Sequence, residues 1–178
     1  MTEHVKVSVD NGVMEITWNR PEKKNAITNA MYKAVGDALD RASADKSIRV
    51  ALFTSEGDSL SAGTDTSVFA AAHSGAATEA PQGHRLIHTL AKFDKPLVAG
   101  VKGVAIGVGT TMLLHCDFVY VSDEARLAMP FVTLGLVPEF ASSLLVPQLM
   151  GNRRAAERLL LGDPFTGEQA VDCGIANA

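Results

Sequence analysis

The amino-acid sequence predicts an α/β fold in which mainly parallel sheets are layered by helices. Short apolar segments typical of buried strands alternate along the chain with longer segments of helical periodicity. The two N-terminal strands follow each other without a helix and are expected to pair antiparallel. The 178 residues fit about one domain, and 47% of them are apolar, which is enough for a packed core over residues 1–178.

The N-terminal elements have clear local signals. Residues 5–9 and 13–18 alternate between apolar and polar types, and Asn11-Gly12 between them is typical of a tight hairpin. Pro21 ends the second strand, because proline cannot donate to a sheet ladder. Thr28 can then cap a helix. The apolar residues of that helix recur at helical spacing: Met31, Val35, Ala38, Leu39 and Ala42.

The remaining elements are predicted from apolar runs and periodicity. Three further strands, all expected to be buried, are predicted at residues 50–54, 97–101 and 118–121. Helices are predicted from Thr66 and over residues 85–93, 110–114, 142–150 and 153–161. The alanine-rich segment from Ala70 to Pro81 is predicted to be mostly a mobile loop.

Composition excludes several classes of function. The net charge of −4 argues against a nucleic-acid partner, because phosphate contacts need a basic face. Two cysteines provide neither a disulfide framework nor a metal cluster, and no metal site is expected. No apolar stretch is long enough for a membrane span, and no signal peptide is evident, so a cytoplasmic location without membrane contact is expected.

Two motifs resemble ligand sites but lack required residues. Gly107-Val108-Gly109 would begin a dinucleotide fingerprint, but Met112 stands where the third glycine is needed. His84 and His88 have metal-ligand spacing on a predicted helix, but no third ligand follows nearby. Solvated or partly packed histidines are the better interpretation.

Two glycine-containing turns could together bind an oxyanion. Ser61–Asp65 follows a buried strand, its small residues would let a ligand approach the backbone, and Asp65 can cap the next helix. Gly103–Thr111 leads into a helix whose first N–H groups lack partners. Facing each other, the turns would offer a pair of amide donors. Each alone is more often just a tight turn.

Glu139 is the most distinctive acidic residue of the sequence. It is the only formally charged residue between Arg126 and Arg153, and its neighbours are apolar. One interpretation is an exposed carboxylate near a helix N-terminus, favoured by the helix dipole. The other is a carboxyl group in an apolar pocket, where a raised pKa makes a competent base near neutral pH.

An ordered set of motifs resembles the crotonase, or enoyl-CoA hydratase/isomerase, family over nearly the whole chain. The motifs are Asn19-Arg20-Pro21, Asn25-Ala26, Ser61–Asp65, Lys95-Pro96, Gly103–Gly109, Cys116-Asp117, Leu134–Pro138 and Gly162–Phe165. The resemblance implies a crotonase-like spiral of ββα units. It also implies that C-terminal helices known in the family are missing or truncated in this chain, which leaves a crotonase core.

The resemblance also implies an active site. The backbone amides of Thr64 and Val108 correspond to those that polarise the thioester carbonyl of an acyl-CoA. Thr111 and Phe131 stand where hydratases carry two glutamates, which argues against hydration. Glu139 corresponds to the single glutamate of Δ3,Δ2-enoyl-CoA isomerases of the peroxisomal type and their bacterial relatives.

The predicted function is therefore an acyl-CoA isomerase that moves a β,γ double bond to the α,β position. Coenzyme A is part of the substrate, no other cofactor is expected, and the family assembles as homo-oligomers, either trimers or dimers of trimers. The residues expected to bind the coenzyme A portion are Lys24, Ala26, Ala62, Asp65 and Thr66. The alternatives are another enolate-type acyl-CoA reaction, such as a hydrolase or weak hydratase, and a non-catalytic acyl-CoA-binding or assembly subunit.

Overall fold

The computed structural model describes residues 2–73 and 80–178, and of residues 71–73 only the backbone. Its strands are β1 (Val5–Asp10), β2 (Val13–Trp18), β3 (Val50–Ser55), β4 (Leu97–Val101), β5 (Val104–Ile106), β6 (Phe118–Val121), β7 (Arg126–Ala128) and β8 (Phe165–Thr166). Its α-helices are α1 (Asn29–Ala44), α2 (Thr66–His73), α3 (Gln82–Lys92), α4 (Val108–Thr111), α5 (Ser142–Ala156) and α6 (Gly167–Asp172).

The strands form two sheets. The larger has the order β1-β2-β3-β4-β6, in which only the β1–β2 pair is antiparallel. The hairpin is confirmed, because Asn11 and Gly12 take φ values of 49° and 83°, which suit a tight turn. The smaller sheet has the order β5-β7-β8, with β5 and β7 parallel. The predicted α/β architecture with mainly parallel strands is confirmed.

The core lies between the larger sheet and its helices. Trp18 of β2 stacks on Phe53 of β3 with ring centroids 6.4 Å apart, and both side chains are fully buried. The prediction that β6 is buried is wrong for half of its side chains. Phe118 and Tyr120 are 47% and 51% exposed, because β6 is the last strand of the sheet and only one of its faces is covered.

Helix α1 is fixed at both ends. The Thr28 hydroxyl accepts the Met31 amide at 3.3 Å, which confirms the predicted cap. At the other end, the Lys95 ammonium donates to the carbonyls of Ala42, Asp45 and Ile48, the last two at 2.8 and 2.7 Å. The Ala42 and Asp45 carbonyls lie at the negative end of the helix, which a cation stabilises, and Ile48 lies in the segment that follows.

One of the helix predictions needs correction, and two others agree with the structure. Helix α2 continues to His73, so the beginning of the predicted 70–81 loop is helical, whereas residues 74–79 lie outside the described residues. The helix predicted to contain residues 85–93 is present as α3, which begins at Gln82 and ends at Lys92. Gly151 is non-helical, with φ 78°, and kinks α5 at the break predicted between its two halves. None of the helices formed by the described residues is long and apolar enough to cross a membrane.

Candidate active site

An open cavity of about 760 Å³ lies where α1, α3, the segment after β3, the turn before α4 and residues 130–140 converge. Its wall is mostly apolar. Thr64, Val108 and Glu139 all line it, so the structure brings together the three residues to which the sequence assigns chemistry. Their chemical roles stay predictions.

The segment around Thr64 is held by backbone hydrogen bonds on both sides. The Ser61 amide donates to Val104 O at 3.1 Å, and Ser61 O accepts the Ile106 amide at 2.9 Å. Ile27 bridges across Thr64, since its amide binds Gly63 O and its carbonyl accepts the Asp65 amide. The Thr64 amide takes no part in this bridge.

Two glycines allow the Thr64 and Val108 segments to touch. A Cβ atom on Gly63 would lie 2.7 Å from Ile106 O, and one on Gly109 would lie 2.9 Å from Ser61 O. Both distances are too short for real side chains. The sequence predicts that the small residues of Ser61–Asp65 let a ligand approach the backbone, but at Gly63 the space for a side chain is filled by the Ile106 carbonyl.

Val108 is the first residue of α4, so its amide has no carbonyl one turn earlier in the helix to bind. The preceding Gly107 has φ 55°, donates its amide to Ala128 O at 2.9 Å and accepts the amides of Thr110 and Thr111 with its carbonyl. Within residues 2–73 and 80–178, the amides of Thr64 and Val108 have no hydrogen-bond acceptor. Both residues also line the cavity, and the role of their amides as donors to a ligand oxygen stays a prediction.

Glu139 provides the only carboxyl group on the described part of the cavity wall. Burial among apolar side chains raises its pKa to about 7, although a hydrogen bond from the Thr111 hydroxyl to Oε1 acts in the opposite direction. Phe131 and Phe140 are nearly fully buried beside it, whereas Val137 is 82% exposed at the rim. A half-buried carboxyl group with this pKa can take and return a proton near neutral pH.

The turn that carries Glu139 is stabilised by hydrogen bonds and by packing of the neighbouring residues. Phe140 and Ala141 both adopt left-handed backbone angles, with φ 52° and 54°, although neither is glycine. His115 binds the Phe140 carbonyl through Nε2 at 2.9 Å, and the two rings pack edge to face. The Glu139 carbonyl accepts the Ser142 amide at the start of α5. These contacts fix the position of the carboxyl group.

Sequence reasoning missed Tyr32. This side chain projects from α1 into the cavity wall, is nearly fully buried, and its hydroxyl lies 2.6 Å from the Thr64 hydroxyl. Burial above all, and then the charge of Glu139, raise its pKa above the usual range, so it stays protonated. A tyrosine hydroxyl at a buried helical position needs a partner, and that requirement could have indicated the contact.

The predicted coenzyme A-binding residues divide into two groups. Ala62 lines the cavity and donates its amide to the carbonyl of exposed Lys24 at 2.8 Å, so Lys24 lies beside the cavity. Ala26 and exposed Thr66 do not form part of the described wall, and the Ala26 carbonyl accepts a hydrogen bond from Arg20. Their binding roles stay predictions.

Asp65, also predicted to bind coenzyme A, has structural partners. Its carboxylate pairs with Arg20 at 2.5 Å and accepts the amide and hydroxyl of Ser67 at the start of α2. The Ser67 and Arg20 hydrogen bonds lower its pKa to about 2. The carboxylate is therefore already neutralised by groups of this chain.

His84 lines the cavity from α3. Within the described residues, no three histidine, cysteine or acidic side chains lie close enough together to hold a metal ion.

The sequence model of the enoyl-CoA hydratase/isomerase family matches residues 8–178. The chain belongs to this family. It is 41% identical to enoyl-CoA delta isomerase 2 of Rattus norvegicus over 96% of its own length and 44% of the relative's. It is 36% identical to the peroxisomal enoyl-CoA delta isomerase 3 of Mus musculus over 98% of its own length and 56% of the relative's. The chain thus spans about half the length of these curated relatives.

Solved structures show the same fold. OdaA of Pseudomonas aeruginosa superimposes with a TM-score of 0.92 at 43% identity, over 99% of this chain and 71% of that one. An enoyl-CoA hydratase/isomerase from Pseudoalteromonas atlantica T6c gives 0.91 at 40% identity, over 98% of this chain and 68% of that one. The crotonase fold predicted from the ordered motifs is confirmed.

Proposed function

We propose that this chain carries an acyl-CoA isomerase site that moves a β,γ double bond into conjugation with the thioester. One observation carries the proposal: a single described carboxyl group, Glu139, shares an apolar cavity with the amides of Thr64 and Val108, which have no acceptor among the described residues. The similarity to two mammalian enoyl-CoA delta isomerases supports it.

The chemistry requires one base and one pair of donors. The Glu139 carboxylate removes a proton from the α-carbon, and the electron pair moves through the thioester onto its oxygen. The Thr64 and Val108 amides donate to that oxygen as negative charge develops. The protonated Glu139 then delivers its proton to the γ-carbon, and the double bond re-forms between the α- and β-carbons. A pKa of about 7 suits a group that must both take and return a proton.

Hydration is the less favoured reaction. It needs one group to activate water and another to deliver a proton. Thr111 and Phe131 occupy the positions at which hydratases carry glutamates, and neither side chain exchanges protons with water near pH 7. We therefore propose that 2-enoyl-CoA is hydrated slowly or not at all.

The remaining predictions of the sequence complete the proposal. Coenzyme A enters as part of the substrate, with its polar portion near Lys24 and Ala62, and the reaction uses no further cofactor. The chain acts as a homo-oligomer in the cytoplasm. Exposed leucines on α5 and on the turn that follows it support self-association.

The decisive experiment replaces Glu139. Glu139→Gln keeps the shape of the side chain and removes the base, so turnover of a 3-enoyl-CoA substrate should slow by at least ~10²-fold with acyl-CoA affinity little changed. Glu139→Asp should retain part of the activity, because the base survives with a shorter reach. Hydration of 2-enoyl-CoA should be negligible in all variants and in the parent protein.

Glu124→Gln is the matched control, since Glu124 is exposed and lies outside the described cavity wall. It should isomerise 3-enoyl-CoA at the parent rate. Near-normal turnover of Glu139→Gln would contradict the proposal, because Glu139 could not then be the base. A parent protein that binds acyl-CoA without turning it over would favour a non-catalytic acyl-CoA-binding subunit. Hydration as fast as isomerisation would instead favour a hydratase.

A further inference from the structure

The Thr111 hydroxyl has two hydrogen-bond acceptors within reach. One is Oε1 of Glu139, which lies 28 residues further along the chain. The other is the carbonyl of Gly107, at 3.3 Å, which also accepts the amides of Thr110 and Thr111. A hydroxyl has one hydrogen, so a well-formed bond to one acceptor weakens the bond to the other. Bonding to the carbonyl four residues earlier is ordinary for a helical threonine, but the bond to Glu139 is not local.

The Gly107 carbonyl is chemically joined to the amide of Val108. The carbonyl and the N–H are the two ends of one peptide group, so a hydrogen bond accepted by the oxygen polarises the N–H. The Thr111 hydroxyl thus contacts the base on one side. On the other side it contacts the peptide group that provides a donor to the thioester oxygen.

We propose that Thr111 is a positioning residue that couples the protonation of Glu139 to the strength of the Val108 donor. The inference rests on the proposed function. Because Thr111 holds Oε1, Oε2 is the oxygen that takes the α-proton, and an O–H bond forms there as the C–H bond breaks. The neutral carboxyl group is a weaker acceptor than the carboxylate. The Thr111 hydrogen, which stays on its own oxygen, then turns toward the Gly107 carbonyl.

The coupling strengthens the Val108 donor during the step in which the thioester oxygen carries negative charge. While Glu139 is ionised, the hydroxyl stabilises and orients the carboxylate. Once the enolate has formed, the hydroxyl bonds the Gly107 carbonyl and strengthens the Val108 N–H that faces the negative oxygen. Return of the proton from Oε2 to the γ-carbon reverses both changes.

The pH dependence of the reaction reports this contact. Loss of the hydroxyl removes a hydrogen bond from the charged form of Glu139 and raises its pKa further. Among the described residues, the other titratable side chains of the cavity wall are Tyr32 on α1 and His84 on α3, and His115 lies behind Phe140. A substitution at Thr111 leaves all three in place, so a shift of the profile is assigned to Thr111.

The experiment compares Thr111→Val with Thr111→Ser and Thr110→Val. Thr111→Val should lower kcat by about 10- to 100-fold, the range for a hydrogen bond to a charged group, with KM little changed. The rising limb of its pH–rate profile should move upward by about one pH unit. Thr111→Ser should restore both the rate and the profile, because it keeps the hydroxyl.

Thr110→Val is the structural control. The Thr110 hydroxyl is buried in the same helix and donates to the carbonyls of Ala105 and Ala128, away from Glu139. Its loss should lower Tm without moving the pH profile. Thr111→Ala, which cannot overpack the site, replaces Thr111→Val if the latter does not fold.

The outcomes separate the two proposals. If Glu139→Gln is inactive and Thr111→Val keeps the parent kcat and pH profile, the coupling is wrong and the isomerase proposal stands. A profile moved equally by Thr111→Ser would also overturn the coupling. If Glu139→Gln is fully active, the proposed function itself fails.

Discussion

Glu139 illustrates how one buried carboxyl group links activity to stability. Its pKa is about 7 in the folded protein, against an ordinary value of 4.5. Between these two values the folded protein keeps a proton that the unfolded chain releases. Its contribution to stability is therefore fully present below pH 4.5 and is lost as the pH rises through 7.

Glu139→Gln should consequently be more stable than the parent protein at pH 8 and equally stable at pH 4.5. The difference at pH 8 should be about 1–3 kcal/mol, because one pKa unit corresponds to about 1.4 kcal/mol and partial exposure of the carboxyl group reduces the effect. Urea titrations of both proteins at the two pH values measure it. Equal stabilities at pH 8 would show that the carboxylate is well solvated.

At the residue scale, the sequence indicated isolated features but not contacts. Glu139 is the one charged residue in a long uncharged stretch, and this feature can be read directly from the sequence. The contacts Thr111–Glu139 and Tyr32–Thr64 join residues 28 and 32 positions apart. Composition and periodicity carry no information about such pairs. The contacts of the Thr111 and Tyr32 hydroxyl groups could therefore be identified only from the structure.

At the element scale, Gly109 holds α4 against the segment that precedes α2. A Cβ atom there would lie 2.9 Å from Ser61 O and 3.2 Å from the Ser61 Cβ. Gly109→Ala should push the Val108 and Thr64 amides apart and lower kcat about 10-fold or more, even though alanine favours helix over glycine. Steady-state kinetics with 3-enoyl-CoA test this.

Gly36→Ala is the control for Gly109→Ala, because a Cβ at this position in α1 would first meet the flexible end of Arg85 at 3.4 Å. It should leave kcat unchanged and raise stability by about 0.5–1 kcal/mol. A Gly109→Ala variant with parent kcat would mean that the spacing of the two amides tolerates the displacement.

Elements that are long, or that depend on residues adjacent in sequence, could be predicted, whereas very short strands could not. The hairpin and the Thr28 cap were predictable because both depend on residues adjacent in sequence. The smaller sheet was missed, since β5 and β7 have three residues each and β8 has two, too few to show alternation. These short strands pair only because the rest of the fold brings them together.

At the scale of the whole molecule, some of the exposed large apolar side chains lie near the C-terminal helices. Leu144 and Leu149 of α5 and the nearby Leu160 and Leu161 are between 46% and 65% exposed. Large apolar side chains that are exposed together are typical of protein interfaces. Their exposure agrees with the proposed homo-oligomer of this chain.

The parent protein should therefore exceed the mass of a single chain in size-exclusion chromatography with light scattering. Leu160→Lys combined with Leu161→Lys should shift it toward the monomer. The matched control is Val7→Lys with Val9→Lys on β1, where the side chains are 39% and 40% exposed, and it should leave the mass unchanged. A monomeric parent protein would contradict the proposal.

The stacked pair Trp18 and Phe53 makes the chain spectroscopically simple. Trp18 is the only tryptophan, it is fully buried, and it lies outside the described cavity wall. Its fluorescence emission should therefore shift when the chain unfolds and Trp18 meets water, whereas a ligand in the described cavity would not contact the indole. Intrinsic fluorescence thus shows whether a variant that has lost its turnover is still folded.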